Sequence, residues 1–174
     1  MNRILLPLIM LFIFVIEGSL FQVYAPEQYG SDMLFIPRFV VVAIIIIGIF
    51  LGKTHAIIYG LIFGLLYDVV YTELLGVYMF CLGFIAYLLS LSHLYVRRSY
   101  TVVVLLTLVA VIIVEYFTFG INSMLNITAM THDEFLQRRL LSTLGLNFIF
   151  SLIILYPLRK YLLYLKRIEE IQKH

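Results

Sequence analysis

Long apolar stretches, broken by single polar residues or short polar connections, run through nearly the whole chain. A helix needs about 20 apolar residues to cross a hydrocarbon core of roughly 30 Å. Windows of that length place spans near residues 4–24, 33–52, 54–72, 74–95, 100–121 and 138–158. The pattern predicts an all-α integral membrane protein with six transmembrane helices in a single polytopic domain, residues 1–174. The first stretch shares with a secretion signal the Arg3 ahead of an apolar run and the Val23-Tyr24-Ala25 at its end. Its length, Glu17 within it and Pro26 at the cleavage position predict a retained helix instead. After the last span, residues 159–174 (RKYLLYLKRIEEIQKH) set Tyr161, Leu165, Ile168 and Ile171 or Gln172 along one stripe with charges elsewhere. That is the form of a last helix continuing into the cytoplasm as a basic amphipathic tail on anionic lipid, with a docking surface for a cytoplasmic partner as the alternative.

Composition agrees with this pattern. The chain is 63% hydrophobic and 13% charged, with a mean hydropathy of +1.06, against roughly 25% charged for a soluble domain. A soluble globule is excluded, and six spans leave no length for a separate soluble domain. The net charge of +2 is small, and its placement is more informative. With six spans, Arg3, Lys53, Arg97, Arg98, Arg159, Lys160, Lys166, Arg167 and Lys173 fall on one side. The other side receives Glu27, Asp32, Glu73, Asp133 and Glu134, with few basic residues before Arg138 and Arg139. The positive-inside rule then puts both termini in the cytoplasm. Only Asp68 and Glu73 interrupt residues 54–95, but a five-helix reading would carry Arg3 or the basic tail across the membrane. Dispersed basic residues do not form a nucleic-acid stripe. Cys81 is the single cysteine, so no intramolecular disulfide or Cys-based metal site is expected.

Four ionisable residues lie inside predicted spans, where each needs a partner, water or a function. Counted from the basic side, Glu17, Arg38, Asp68 and Glu115 lie 13 to 15 residues deep, roughly 20–23 Å at the helical rise. They form an intramembrane polar cluster at one level. Arg38 and Asp68 are equidistant from the turn at Lys53, so a tight hairpin of helices two and three predicts an ion pair between them. A buried clasp fixing helix order and a site for a ligand, proton or partner helix both account for the group. Gly60-Leu61-Ile62-Phe63-Gly64 is a G-x-x-x-G, with Asp68 on the same broad face and Leu75-Gly76 after a polar turn at Thr72-Glu73. Gly60, Gly64, Asp68 and Gly76 are therefore the candidate helix-packing or partner-binding residues. Gly48 and Gly52 form a second such pair.

Catalytic constellations are not apparent. There is no G-x-S-x-G and no H-E-x-x-H, and His55, His93, His132 and His174 fall in different connections and the tail. Tyr67-Asp68 resembles half of an intramembrane aspartyl protease site, which requires a second membrane aspartate. Asn126-Ile127-Thr128 matches a glycosylation acceptor, which has no meaning in a bacterial protein. No enzyme, cofactor or metal is predicted.

With Pro37-Arg38 opening helix two, GLIFGLLYDVV around Gly60, Gly64, Leu65 and Asp68, the polar turn and Leu75-Gly76, the chain resembles the bacterial rod shape-determining protein MreD family. Size, span count and basic tail also match, although VVYTE stands where that family usually has a Ser- or Gly-rich turn. The resemblance implies a non-enzymatic subunit of the cell-elongation machinery. Its partners would be the single-span protein MreC and, through it, MreB filaments and the peptidoglycan synthase of RodA and a class B penicillin-binding protein, all within a lipid membrane. The family is also similar in architecture to the substrate-binding S-components of energy-coupling-factor transporters, which leaves a solute-binding transporter subunit as the alternative.

Overall fold

A computed structural model describes residues 2–23, 33–72, 74–90 and 99–171, and among these the only regular structure is helical. The six long helices are α1 (Asn2–Val23), α2 (Phe39–Leu51), α3 (Lys53–Tyr71), α4 (Val77–Ser90), α5 (Tyr100–Met124) and α6 (Leu141–Ile171). By length and composition three described segments can cross a membrane: Lys53–Tyr71, Tyr100–Met124 and His132–Ile168. Ile4–Leu20, Phe39–Leu51 and Val77–Ser90 are shorter apolar helices. The whole 25–32 connection, Glu73, the end of the expected fourth span with Arg97 and Arg98, and residues 172–174 lie outside the described residues.

Helix α2 is the axis of the bundle. Every residue from Phe39 to Phe50 is buried, and α2 packs on α1, α3, α4, α5 and α6. Its sequence, FVVVAIIIIGIFL, is apolar all round, which suits a helix surrounded by protein on every side. Helices α3 and α4 form the most extensive pair. At Gly60 an added Cβ would lie 2.9 Å from the carbonyl oxygen of Leu82, and at Gly64 2.5 Å from Cα of Met79. The G-x-x-x-G face is thus filled from within the fold by α4, because only glycine lets the two backbones come this close.

Three helices begin at residues other than the starts of the expected spans. Helix α2 begins at Phe39, where the expected second span starts at residue 33, since Pro37 disfavours helix at Ile36 and residues 33–38 run as an extended strap. Helix α4 begins at Val77, where the expected fourth span starts at residue 74, after the turn at Leu74–Gly76. The last span begins with a one-turn helix, His132–Glu134, held by a Thr131–Glu134 capping box, and passes through a π-helical turn, Phe135–Leu140, into α6. Residues 159–171 continue α6 without a break to Ile171, and Leu158, Leu162 and Leu165 belong to the core. Their burial, with Tyr161 packed beside them, moves the buried stripe off Ile171, which is 68% exposed.

Candidate functional site: a buried charge cluster at one end of the bundle

Where the strap enters α2, four elements bring charged side chains together. Arg38 stands at the N-cap position of α2 and makes no side-chain cap of its own. Glu17 of α1 supplies the cap: one carboxylate oxygen accepts from the Val40 N–H at 2.9 Å, and the other accepts from the Tyr67 hydroxyl. A carboxylate suits this position because the first N–H groups of a helix lack internal partners and carry partial positive charge. Released from capping, the Arg38 guanidinium reaches α5. Its Nε donates to Glu115 at 2.7 Å, and Nη2 donates to the Tyr78 hydroxyl at 3.1 Å. Arg139, carried inward by the π-helical turn, donates its Nε to the other oxygen of Glu115 at 2.8 Å. The result is an Arg38–Glu115–Arg139 triad in which Glu115 is fully enclosed, Arg38 is buried and Arg139 is partly exposed.

The expected Arg38–Asp68 ion pair does not form. Asp68 is completely buried and caps α4: Oδ2 accepts from the N–H groups of Gly76 (2.9 Å) and Met79 (3.0 Å), and Oδ1 accepts from Tyr78 N–H (2.8 Å). Three backbone donors fill the carboxylate, leaving the guanidinium to Glu115. Gly76 makes the cap possible, since its φ of 98° turns the chain so that its N–H faces Asp68, a conformation costly for other residues. The four sequence candidates are nevertheless joined. Tyr78 bonds Asp68 through its N–H and Arg38 through its hydroxyl, and its ring stacks on Tyr67, the partner of Glu17, at 5.3 Å.

Residues outside the sequence candidates complete the arrangement. Asn147 of α6 is buried and clips the strap: Oδ1 accepts from Arg38 N–H at 2.8 Å and Nδ2 donates to the Ile36 carbonyl at 3.0 Å. Thr143 Oγ1 accepts from Ile36 N–H, and the Arg138 carbonyl accepts from Leu34 N–H. An extended segment inside a bundle needs such partners, because its backbone groups have none of their own. The sequence signals for Arg139 and Asn147 differ: Asn147 is a lone polar residue within an apolar run, whereas Arg139 ends the polar run Gln137-Arg138-Arg139 before one.

Glu17, Pro37, Arg38, Tyr67, Tyr78 and Arg139 also border a cavity of about 220 Å³. Among the described residues no three His, Cys, Asp or Glu side chains gather to hold a metal ion. The described arrangement holds helices in register through caps, an ion triad and a clipped strap.

These features define an all-helical membrane protein with a polar clasp buried at one end of its bundle. Its whole length places it further. The model of the family "rod shape-determining protein MreD" matches residues 2–165, and the chain is 36% identical to the Rod shape-determining protein MreD of Bacillus subtilis (strain 168), over 96% of this chain and 97% of that one. The chain belongs to the rod shape-determining protein MreD family, which ties it to cell shape in bacteria. No solved structure matches it.

Proposed function

We propose that the protein is a non-enzymatic, multi-pass subunit of the bacterial cell-elongation complex. In this reading it binds MreC and helps couple MreB filaments to peptidoglycan synthesis by RodA and a class B penicillin-binding protein. The observation that carries the reading is the match to a shape-determining family over residues 2–165. The buried charges support it: Glu17 and Asp68 cap helices, and Glu115 binds two arginines. Groups used in this way build a rigid surface, and a rigid surface acts by binding. Because α4 covers Gly60 and Gly64, MreC would contact another face.

The six helices would all cross the cytoplasmic membrane, with both termini inside, as the distribution of Lys and Arg favours. The three shorter helices would complete their crossings with flanking residues such as the strap. The charge cluster would then lie toward the outer side. Depletion of the protein, followed by fluorescent wall labelling and localisation of MreC, tests the function. Rounded cells with dispersed wall synthesis and displaced MreC are the expected outcome. Normal rods with MreC in place, and lost uptake of a vitamin, would replace this reading with the transporter-subunit alternative.

A further inference from the structure

The cavity at the charge cluster carries cationic donors that the clasp does not use. Helix α2 has 13 residues and so rises about 20 Å, against roughly 30 Å for a hydrocarbon core. The bundle axis therefore stops short, and the recess borders its end at Arg38. The guanidinium of Arg38 engages Glu115 through Nε and Tyr78 through Nη2, while Nη1 has no hydrogen-bond partner among the described residues. Arg139 uses only Nε for Glu115, its side chain is 19% exposed, and both Nη groups are without hydrogen-bond partners among the described residues. The Tyr78 hydroxyl accepts from Arg38 and keeps its own proton to donate.

Charge points the same way. Two arginines share one fully buried carboxylate, Glu115, which leaves one positive charge in excess within the triad. Glu17 borders the recess and Asp68 lies behind Tyr78, but both are held at helix amino ends whose partial positive charge offsets them, Glu17 by Val40 N–H with the Tyr67 hydroxyl and Asp68 by three N–H groups of Gly76, Tyr78 and Met79. A guanidinium edge matches the paired oxygens of a phosphate or carboxylate, and charge-assisted bonds gain strength where water is scarce.

We propose that this recess is a binding site for one oxyanion group, a phosphate or a carboxylate, received by the unused Nη donors of Arg38 and Arg139 and by the Tyr78 hydroxyl. The group arrives either on a small solute or on the headgroup of an anionic lipid, since both present the same oxygens. Arg139 is the residue through which to test it, being the more exposed of the two arginines.

The test uses the full-length protein in a non-ionic detergent free of phosphate. Thermal unfolding is followed while inorganic phosphate, acetate or dilauroyl phosphatidylglycerol is titrated at constant ionic strength, with chloride and a zwitterionic lipid as references. At least one of the three probes should raise the Tm of the wild type more than its reference does, because a ligand that binds only the folded state stabilises it. Arg139→Gln should weaken that probe by about tenfold or more, and Arg139→Lys by less, since charge without the planar fork is retained. Tyr78→Phe, which keeps the ring and removes the donor, should also weaken it and serves if Arg139→Gln fails to fold. A rise with phosphate or acetate alone assigns a soluble ligand, and a rise with phosphatidylglycerol alone assigns a lipid. No rise with any probe, or an undiminished rise in the variants, overturns the proposal.

Discussion

The clasp can be dissected by double-mutant cycles, which separate the pair that the structure forms from the pair that chain symmetry suggests. Arg38→Gln leaves Glu115 with Arg139 as its one guanidinium partner, and Glu115→Gln leaves both arginines without their common anion. Glu115→Gln is the harsher, because it leaves Arg38 and Arg139 facing one another across a site where Glu115 had no exposure at all. Removing one partner of a buried pair costs about 3–5 kcal/mol. Interhelical hydrogen bonds in membrane proteins average only about 0.6 kcal/mol, but those are mostly neutral groups, whereas here two guanidiniums lose their common anion. We expect Glu115→Gln to cost about 3 kcal/mol or more, and the Arg38/Glu115 cycle to show a coupling of about 1–3 kcal/mol. The Arg38/Asp68 cycle should be additive within about 0.5 kcal/mol. Those two residues meet only through opposite ends of Tyr78, its hydroxyl and its N–H. Reversible unfolding in mixed micelles, read by circular dichroism, supplies the four corners of each cycle. Equal coupling in the two cycles, or a larger one for Arg38/Asp68, would refute this assignment of partners.

Three further outcomes are expected. Gly64→Leu sets a side chain against the Met79 backbone, 2.5 Å from the position of its Cβ, and should cost about 1–3 kcal/mol by overpacking; Gly145→Leu, with nothing within 4 Å, should be near neutral in the same unfolding assay. Asn147→Ala removes both clips on the strap, at Arg38 N–H and the Ile36 carbonyl, and should cost about 1–3 kcal/mol, with faster proteolysis near residues 33–38; an unchanged digestion pattern would show that the strap is held by other contacts. Single cysteines at Gln28 and His132 should react with an impermeant thiol reagent in intact cells while one at Ser99 is protected, and the opposite pattern would invert the topology.

Much was legible in the sequence for a simple reason: a hydrocarbon core admits few structures. An apolar chain in lipid must satisfy its backbone within each segment, so length and hydropathy alone lead to helices. The ionisable residues Glu17, Arg38, Asp68 and Glu115 stand out against an apolar background, and the structure joins all four. Pairing was decided elsewhere. Equal distance from Lys53 put Arg38 and Asp68 at one depth, but depth does not set the direction of a side chain. The turn at Gly76 aims three N–H groups at Asp68, and the π-helical turn swings Arg139 toward Glu115. Both are backbone conformations without a periodic signature. Pro37 announces a break in the helix, yet the strap is held by Asn147 and Thr143, more than a hundred residues away in the chain. Local pattern determined which groups had to find partners; only the packing of distant helices determined which partners they found.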